Sequence, residues 1–156
     1  PVRRVGDLFD ELLSRHGFGK KKERRDRAVR CLERVGLSAE VRYRFAHELS
    51  GGMRQRALIA MAISVDPLLI IADEPTTALD ATVQAEILDL LRDLTHGSTA
   101  LLLITHDLAV AANLCRRVIV MRHGKIIEQG DFAQILKSPR ADYTRQLISN
   151  SLLEAP

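Results

Sequence analysis

Tryptophan is absent from this chain, and only two tyrosines and four phenylalanines are present among its 156 residues. Its core must therefore be built mainly from Leu, Ile, Val and Ala. Cysteine is as scarce. Cys31 and Cys115 are too few and too isolated for a disulfide framework or a metal site, and each lies in an apolar helical pattern, so a reducing compartment is the simple reading. No run of 18 apolar residues could span a membrane, and no charged-then-apolar signal segment opens the chain. Any membrane role is expected to be peripheral, through a partner.

Hydrophobic residues make up 46% of the sequence and charged residues 28%, within the range of soluble globular proteins. The length suits one domain with a proper core, not two large ones. A net charge of +3 hides an uneven distribution, because residues 1–42 carry 12 Lys/Arg against 7 Asp/Glu and the remainder 11 against 13. The densest basic run, Lys20 to Arg27, also contains Glu23 and Asp26. It has no interleaved aromatic residue, which weakens any stacking platform for single-stranded nucleic acid and favours a solvated surface.

Apolar spacing divides the chain. Val5, Leu8, Phe9, Leu12 and Leu13 recur at helical period until His16-Gly17-Phe18-Gly19 breaks the pattern, and Ala28, Val29, Leu32 and Val35 form a second stripe that stops at Gly36. With a short helical piece near Ala39 to Phe45 these make a small helical layer. Ser50-Gly51-Gly52 then opens a helix of about fourteen residues, ended by Asp66-Pro67. Leu68 to Ala72 is a continuous apolar run of strand length, as expected where both faces of a parallel strand are covered. Thr82 to Leu94 reads as a helix and Thr99 to Ile104 as another buried strand, completing a βαβ unit and an α/β fold. A helix at Leu108–Leu114, a hairpin of Arg117–Met121 and Lys125–Glu128 turning at His123-Gly124, a helix capped by Asp131, and a last helix from Tyr143 to Leu153 follow.

Four features carry chemistry, and they occur in order at strand ends and helix starts, where ligands of parallel sheets gather. Ser50, Gly51 and Gly52 combine a hydroxyl, two unshielded amides and the positive end of a helix, which together make an anion site or, more plainly, a helix cap. Asp73 and Glu74 follow five apolar residues. Two acids there are costly unless something uses them. Asp73 can hold a magnesium ion or its bound water, since a hard cation wants oxygen ligands. Glu74 can accept a proton from a water attacking a terminal phosphorus atom, and Pro75 keeps the pair at the end of its strand. The turn Ala78-Leu79-Asp80 comes next, and His106, after the second strand, can donate to a phosphate oxygen or sit as an ordinary surface histidine.

These residues resemble the ATP-binding cassette subunits of transporters over essentially the whole chain. Leu49-Ser50-Gly51-Gly52-Met53-Arg54-Gln55-Arg56 is similar to the family's signature motif, Leu68 to Asp73 with Glu74 to its Walker B strand, Thr77-Ala78-Leu79-Asp80 to its D-loop, and His106 to its switch histidine. The wording from Asp73 to Asp80, with Val83 to Leu91 following, is similar to bacterial importers of oligopeptides, dipeptides, glutathione and nickel. Ser138-Pro139 to Tyr143-Thr144 resembles their tail, although Ala141-Asp142 replaces a His-Pro pair.

The resemblance implies a P-loop NTPase-like parallel sheet with a helical subdomain at 1–48, the C-terminal part of the ATPase core at 49–137 and a helical tail at 138–156. It implies that ATP and Mg2+ are the cofactors, Asp73 the magnesium residue and Glu74 the catalytic base. His106 would contact the γ-phosphate in its own subunit. Ser50, Gly51, Gly52 and Gln55 would serve a nucleotide held mainly by the opposite subunit, and Asp80 would link the two subunits. The implied partners are a second ATPase subunit, membrane-spanning permease subunits and, indirectly, an external solute-binding protein, at the cytoplasmic face of the bacterial inner membrane. Nucleic acid is not expected. Two other readings stand beside this one: a cassette ATPase acting on nucleic acid, and a non-catalytic piece that pairs with an intact subunit.

One departure from the family is large. The phosphate-loop pattern Gly-x-x-x-x-Gly-Lys-Ser/Thr occurs nowhere, because Lys21 follows Gly19-Lys20 and Ile126 follows Gly124-Lys125. The strands that flank that loop are missing too, which leaves part of the expected sheet without neighbours. Phosphoryl transfer depends on positioning and on charge neutralisation of the phosphates. The 156-residue chain alone should therefore show neither micromolar binding of MgATP nor turnover. Labelled-ATP titration beside a phosphate-release assay checks this, and micromolar binding with turnover abolished by Glu74→Gln would reveal a phosphate site unlike the family's.

Overall fold

The computed structural model describes residues 3–95, 97 and 99–153. Residues 1–2, 96 and 98, and 154–156, parts of the three expected segments, lie outside the described residues. The chain forms two compact units, residues 1–102 and 103–156.

In the first unit, α1 (Val5–Arg15) buries Val5, Phe9 and Leu13 along one stripe, the i, i+4 spacing that keeps side chains on one helix face. It stops at Gly17, whose φ of +77° is open to glycine at no steric cost, and the Phe18 amide closes back on the Leu13 carbonyl. α2 (Lys21–Arg34) buries Ala28 and Leu32, packs against α1, and ends before Gly36 at φ +75°. The predicted short piece is a 3-10 turn over Ala39–Tyr43, capped by Ser38, and a second 3-10 turn spans Ala46–Glu48.

The basic run that reads as solvated surface is only partly so. Arg24 turns inward, pairing with Asp10 at 2.8 Å and donating to the Phe18 and Gly19 carbonyls. Arg27 lies over the Phe18 ring at 4.4 Å and reaches the Ser64 carbonyl and the Asp66 carboxylate. Lys21, Lys22 and Arg25 remain exposed. Sequence alone shows the charge; only packing shows which guanidinium groups fasten α2 to the end of the next helix. Cys31 on α2 is half-buried, and burial pushes its thiol up from the ordinary range, as it does for Cys115 in the second unit.

That next helix, α3 (Gly51–Ile63), buries Ala57, Ile59, Ala60 and Ile63 and packs against α2 and α4 (Ala81–Thr95). Between them runs β1 (Leu69–Asp73). β2 (Ala100–Ile104) is its neighbour in a small parallel sheet, started by the Ala100 amide on the Leu68 carbonyl at 2.8 Å. The helix boundaries fall within a residue or two of those the spacing predicts. Strand burial differs. Ile70 and Ala72 are buried, but Leu69 and Ile71 are 48% and 62% exposed, and Leu102 on β2 is 46% exposed. An unbroken apolar run permits cover on both faces, yet burial needs an element on each side, and here β1 has cover on one side only.

In the second unit, α5 (Leu108–Leu114) is capped by Asp107 and buries Val110. β3 (Arg117–Arg122) and β4 (Lys125–Asp131) pair antiparallel, with a register irregularity between Val120 and Met121. Both turn residues have positive φ, +49° at His123 and +73° at Gly124, as a tight hairpin of right-twisted strands requires. β4 runs three residues beyond the predicted strand before Asp131 caps α6 (Phe132–Lys137) with bonds to the Ala133 and Gln134 amides. The tail helix α7 (Asp142–Leu153) is tied to β4 by Glu128, whose carboxylate accepts from the Arg140 amide at 2.9 Å and the Ala141 amide at 3.1 Å. Arg122 adds a stack over the Tyr143 ring. Among the described residues, no helix is long and apolar enough to cross a membrane.

The Arg140 amide is the main cause that holds the Glu128 carboxyl below its ordinary range. A carboxylate whose folded pKa is depressed stabilises above its unfolded pKa, and that contribution is lost as pH falls through the lower folded value. Docking of α7 should thus persist through the ordinary carboxylate range and loosen only below it. Amide exchange at Arg140 and Ala141 followed against pH checks this, and in Glu128→Gln the acid dependence of that protection should vanish.

Candidate active site

The amino end of α3 is assembled by Ser50. Its backbone is extended (φ −63°, ψ 166°), its Oγ accepts from the Met53 amide at 3.2 Å, and its carbonyl accepts from the Arg54 amide at 2.9 Å. Helix geometry gives the amides of Gly51 and Gly52 no partner within the helix, and the peptide dipoles make this end positive. An anion of phosphate type fits there. Gln55 is half-buried one turn further on, beside the exposed Arg54.

Gly51 and Gly52 have a second reason to be glycine. A Cβ on Gly52 would stand 2.6 Å from Val83 Cγ1, and one on Gly51 would stand 3.3 Å from Leu79 Cδ2. The start of α3 is butted against the start of α4 and the loop before it. Arg56, one turn later, spans the same seam. Its guanidinium donates to the Val35 carbonyl at the end of α2 and to Glu86 on α4, each at 2.8 Å. Nothing in the spacing of Arg56 singles it out from its neighbours, so this link was not legible in sequence.

At the end of β1, Asp73 shares the exposed face with Leu69 and Ile71. Glu74 adopts φ +47°, a left-handed conformation that costs a non-glycine residue about 1–3 kcal/mol. The turn after it holds that conformation. The Thr77 amide donates to the Glu74 carbonyl at 3.2 Å, the Thr77 hydroxyl donates to Glu74 Oε2 at 3.1 Å, and the Leu79 amide reaches the Thr76 carbonyl at 3.3 Å. Pro75 and Thr76 are buried beneath the turn. Asp80 closes the segment as the cap of α4, its Oδ1 accepting from the Val83 amide at 3.0 Å and its carbonyl from the Gln84 amide at 2.8 Å.

Among the described residues, no three His, Cys, Asp or Glu side chains gather into a metal cage. A magnesium ion does not need one. It is commonly held by one or two carboxylates, with substrate phosphates and water completing its shell, and Asp73 at an open strand end fits that chemistry. His106 belongs to the second unit and is exposed between two polar locks. The Asp107 amide donates to Thr105 Oγ1 at 3.0 Å, and Asp107 Oδ1 accepts from the Ala109 and Val110 amides at 2.8 and 3.2 Å.

The two demands on Gly52 separate by mutation. Gly52→Ala alone should cost about 1–2 kcal/mol by forcing a methyl group into the stiff Val83 side chain. In a Val83→Ala background the same change should cost less than half of that, and urea unfolding of the four proteins of the cycle measures the difference. Equal costs in both backgrounds would show that α4 does not constrain the glycine.

Known proteins share the sequence and the fold of this chain. A family profile described as ABC transporter matches residues 3–77. The oligopeptide transport ATP-binding protein AppD of Bacillus subtilis is 46% identical over 153 residues, covering 96% of this chain and 47% of that protein. OppD of the same organism is also 46% identical, with 96% of this chain and 43% of that protein covered. The peptidoglycan transport ATP-binding protein YejF of Agrobacterium fabrum is 45% identical, with 96% and 28% covered. The chain thus spans less than half the length of each of these relatives. Among solved structures, the dimeric post-hydrolysis state of the ATP-binding cassette MJ0796 bound to ADP and Pi superposes with a TM-score of 0.71 at 32% identity, over 85% of this chain and 58% of that one. A second dimeric structure of MJ0796, described as a bacterial ABC transporter cassette, gives 0.69 at 30% identity, with the same coverage. With motif order, local geometry and fold in agreement, this chain belongs to the ABC transporter family, as ATP-binding cassette sequence closely matching the ATPase subunits of bacterial peptide importers.

Proposed function

We propose that this chain is part of the ATP-hydrolysing subunit that powers peptide uptake across the bacterial inner membrane. The observation that carries this reading is the pairing, within one compact unit, of a strand delivering Asp73-Glu74 at its end with a capped helix that opens on Ser50-Gly51-Gly52. AppD and OppD are oligopeptide transport proteins, which favours a peptide cargo over nickel. Residues 1–48 form the helical layer toward membrane-spanning subunits, 49–137 carry the motifs of the core, and 138–156 form the tail. The working position is peripheral, on the cytoplasmic face of that membrane.

In this reading Asp73 holds magnesium, which when bound neutralises phosphate charge. Glu74 takes the proton of the attacking water as its oxygen approaches the γ-phosphorus, and His106 donates to a γ-phosphate oxygen of the same nucleotide. Ser50, Gly51, Gly52 and Gln55 present the positive end of α3 to the nucleotide of a second ATPase subunit, and Asp80 holds the loop that meets that subunit. The chain's own carboxylates repel a triphosphate. The phosphate cradle and its lysine must therefore come from sequence outside these 156 residues, in keeping with the share of each relative that the chain spans.

Two substitutions in the full-length subunit test the assignments. Glu74→Gln should keep ATP binding within about twofold and lower kcat by at least a hundredfold, since shape is preserved and the proton acceptor is lost. Ser50→Arg should abolish ATP-driven pairing of subunits, read by sedimentation, while leaving the affinity of the monomer for ATP unchanged. Wild-type turnover in the first variant, or lost monomer affinity in the second, would sink the corresponding role.

A further inference from the structure

Thr77 lies outside the residues assigned a role above, yet its side chain closes on Glu74. We propose that Thr77 is a positioning residue that fixes the Glu74 carboxylate for its work as general base, an inference that rests on the reading of Glu74 given under Proposed function. Three observations converge on it. The hydroxyl of Thr77 donates to Glu74 Oε2 at 3.1 Å. The amide of the same residue donates to the Glu74 carbonyl at 3.2 Å, so one residue grips both the backbone and the side chain of the acid. Glu74 itself stands at φ +47°, a conformation that reverts unless its surroundings hold it.

The physical need is specific. A glutamate has three side-chain torsions, and an exposed one samples many orientations of its carboxylate. General-base catalysis requires the acceptor oxygen within hydrogen-bond reach of one water in one direction. A hydroxyl donor fixed three residues away restricts that freedom without adding charge. Thr77 is itself held, because the chain on either side of it is pinned. Thr76 is buried before it, and after it Leu79 lies against Gly51 and Asp80 caps α4. The brace on Glu74 is therefore anchored in the same segment that seats the start of α3. A threonine is suited to this because its branched Cβ leaves few rotamers for the hydroxyl to choose among.

The fold alone does not need the hydroxyl, because Thr77 is exposed and valine has the same branched shape. That separates a positioning role from a structural one. In the full-length subunit assembled with its partner subunit, Thr77→Val should lower kcat for MgATP about tenfold with KM within twofold of wild type, the pattern of an interaction needed only in the transition state. Thr77→Ser, which keeps the donor, should recover kcat to within about threefold of wild type. Thr77→Ala should behave as Thr77→Val does, which guards against an effect peculiar to valine. Glu74→Gln should be inactive, and adding Thr77→Val to it should change nothing further. Wild-type kcat in Thr77→Val, or a raised KM with unchanged kcat, overturns the positioning role while leaving Glu74 as the base. Turnover surviving in Glu74→Gln overturns the reading of Glu74 instead.

Discussion

The guanidinium of Arg56 is the contact on which the arrangement of the first unit depends. It lies on α3 and donates at 2.8 Å both to the Val35 carbonyl, one of the unsatisfied acceptors at the end of α2, and to Glu86 on α4. Planar geometry suits it to this, since a fork of fixed donors can meet two acceptors in different helices at once. Arg27 does the corresponding work at the other end of α3, reaching from α2 to the Ser64 carbonyl and Asp66. Two arginines thus set how the helical layer lies along the helix that begins with Ser50. Ion pairs at a surface contribute little by themselves. Here each is joined to a buried or partly buried carbonyl that would otherwise lack a partner, which is where the larger share of the stabilisation lies.

From that helix the constraint passes to the loop after β1. Leu79 and Val83 stand so close to Gly51 and Gly52 that a side chain at either glycine would press on the start of α4 or the loop before it. Asp80 fixes α4 by capping it, and Thr77 closes the turn back onto Glu74. The segment from 74 to 83 is consequently a short strut between a strand end that bears two carboxylates and a helix end that offers amides.

Several site residues carry a bland duty beside the proposed one. Ser50 caps α3 through its Oγ, Asp80 caps α4, and the glycines make room for Val83 and Leu79. Loss of function after mutation at these positions would therefore mix two causes. Glu74 differs in its backbone, which is left-handed like that of Ala78 in the same segment and is held there by the turn that Thr77 closes.

Much of this was legible in the order of residues. The helical stripes of α1 and α2, the glycines that end them, the serine that starts α3 and the Asp131 cap follow from rules that act within one or two turns of chain. So did the placing of Asp73, Glu74 and His106 at strand ends, because an apolar run followed by acids has few other readings. What sequence could not decide was set by distant partners. The run Leu68 to Ala72 permits burial on both faces, and only the packed unit shows Leu69 and Ile71 exposed. Arg24 and Arg27 read as solvated charge until Asp10, Phe18 and Ser64 are brought beside them. In sequence Thr77 and Arg56 are only members of their motifs, with nothing to say what they touch, and Glu128 carries no distinguishing pattern. Their roles exist only through partners that the turn, the helix seam or the tail places within 3.1 Å of them, and contacts of that kind are a property of the tertiary structure.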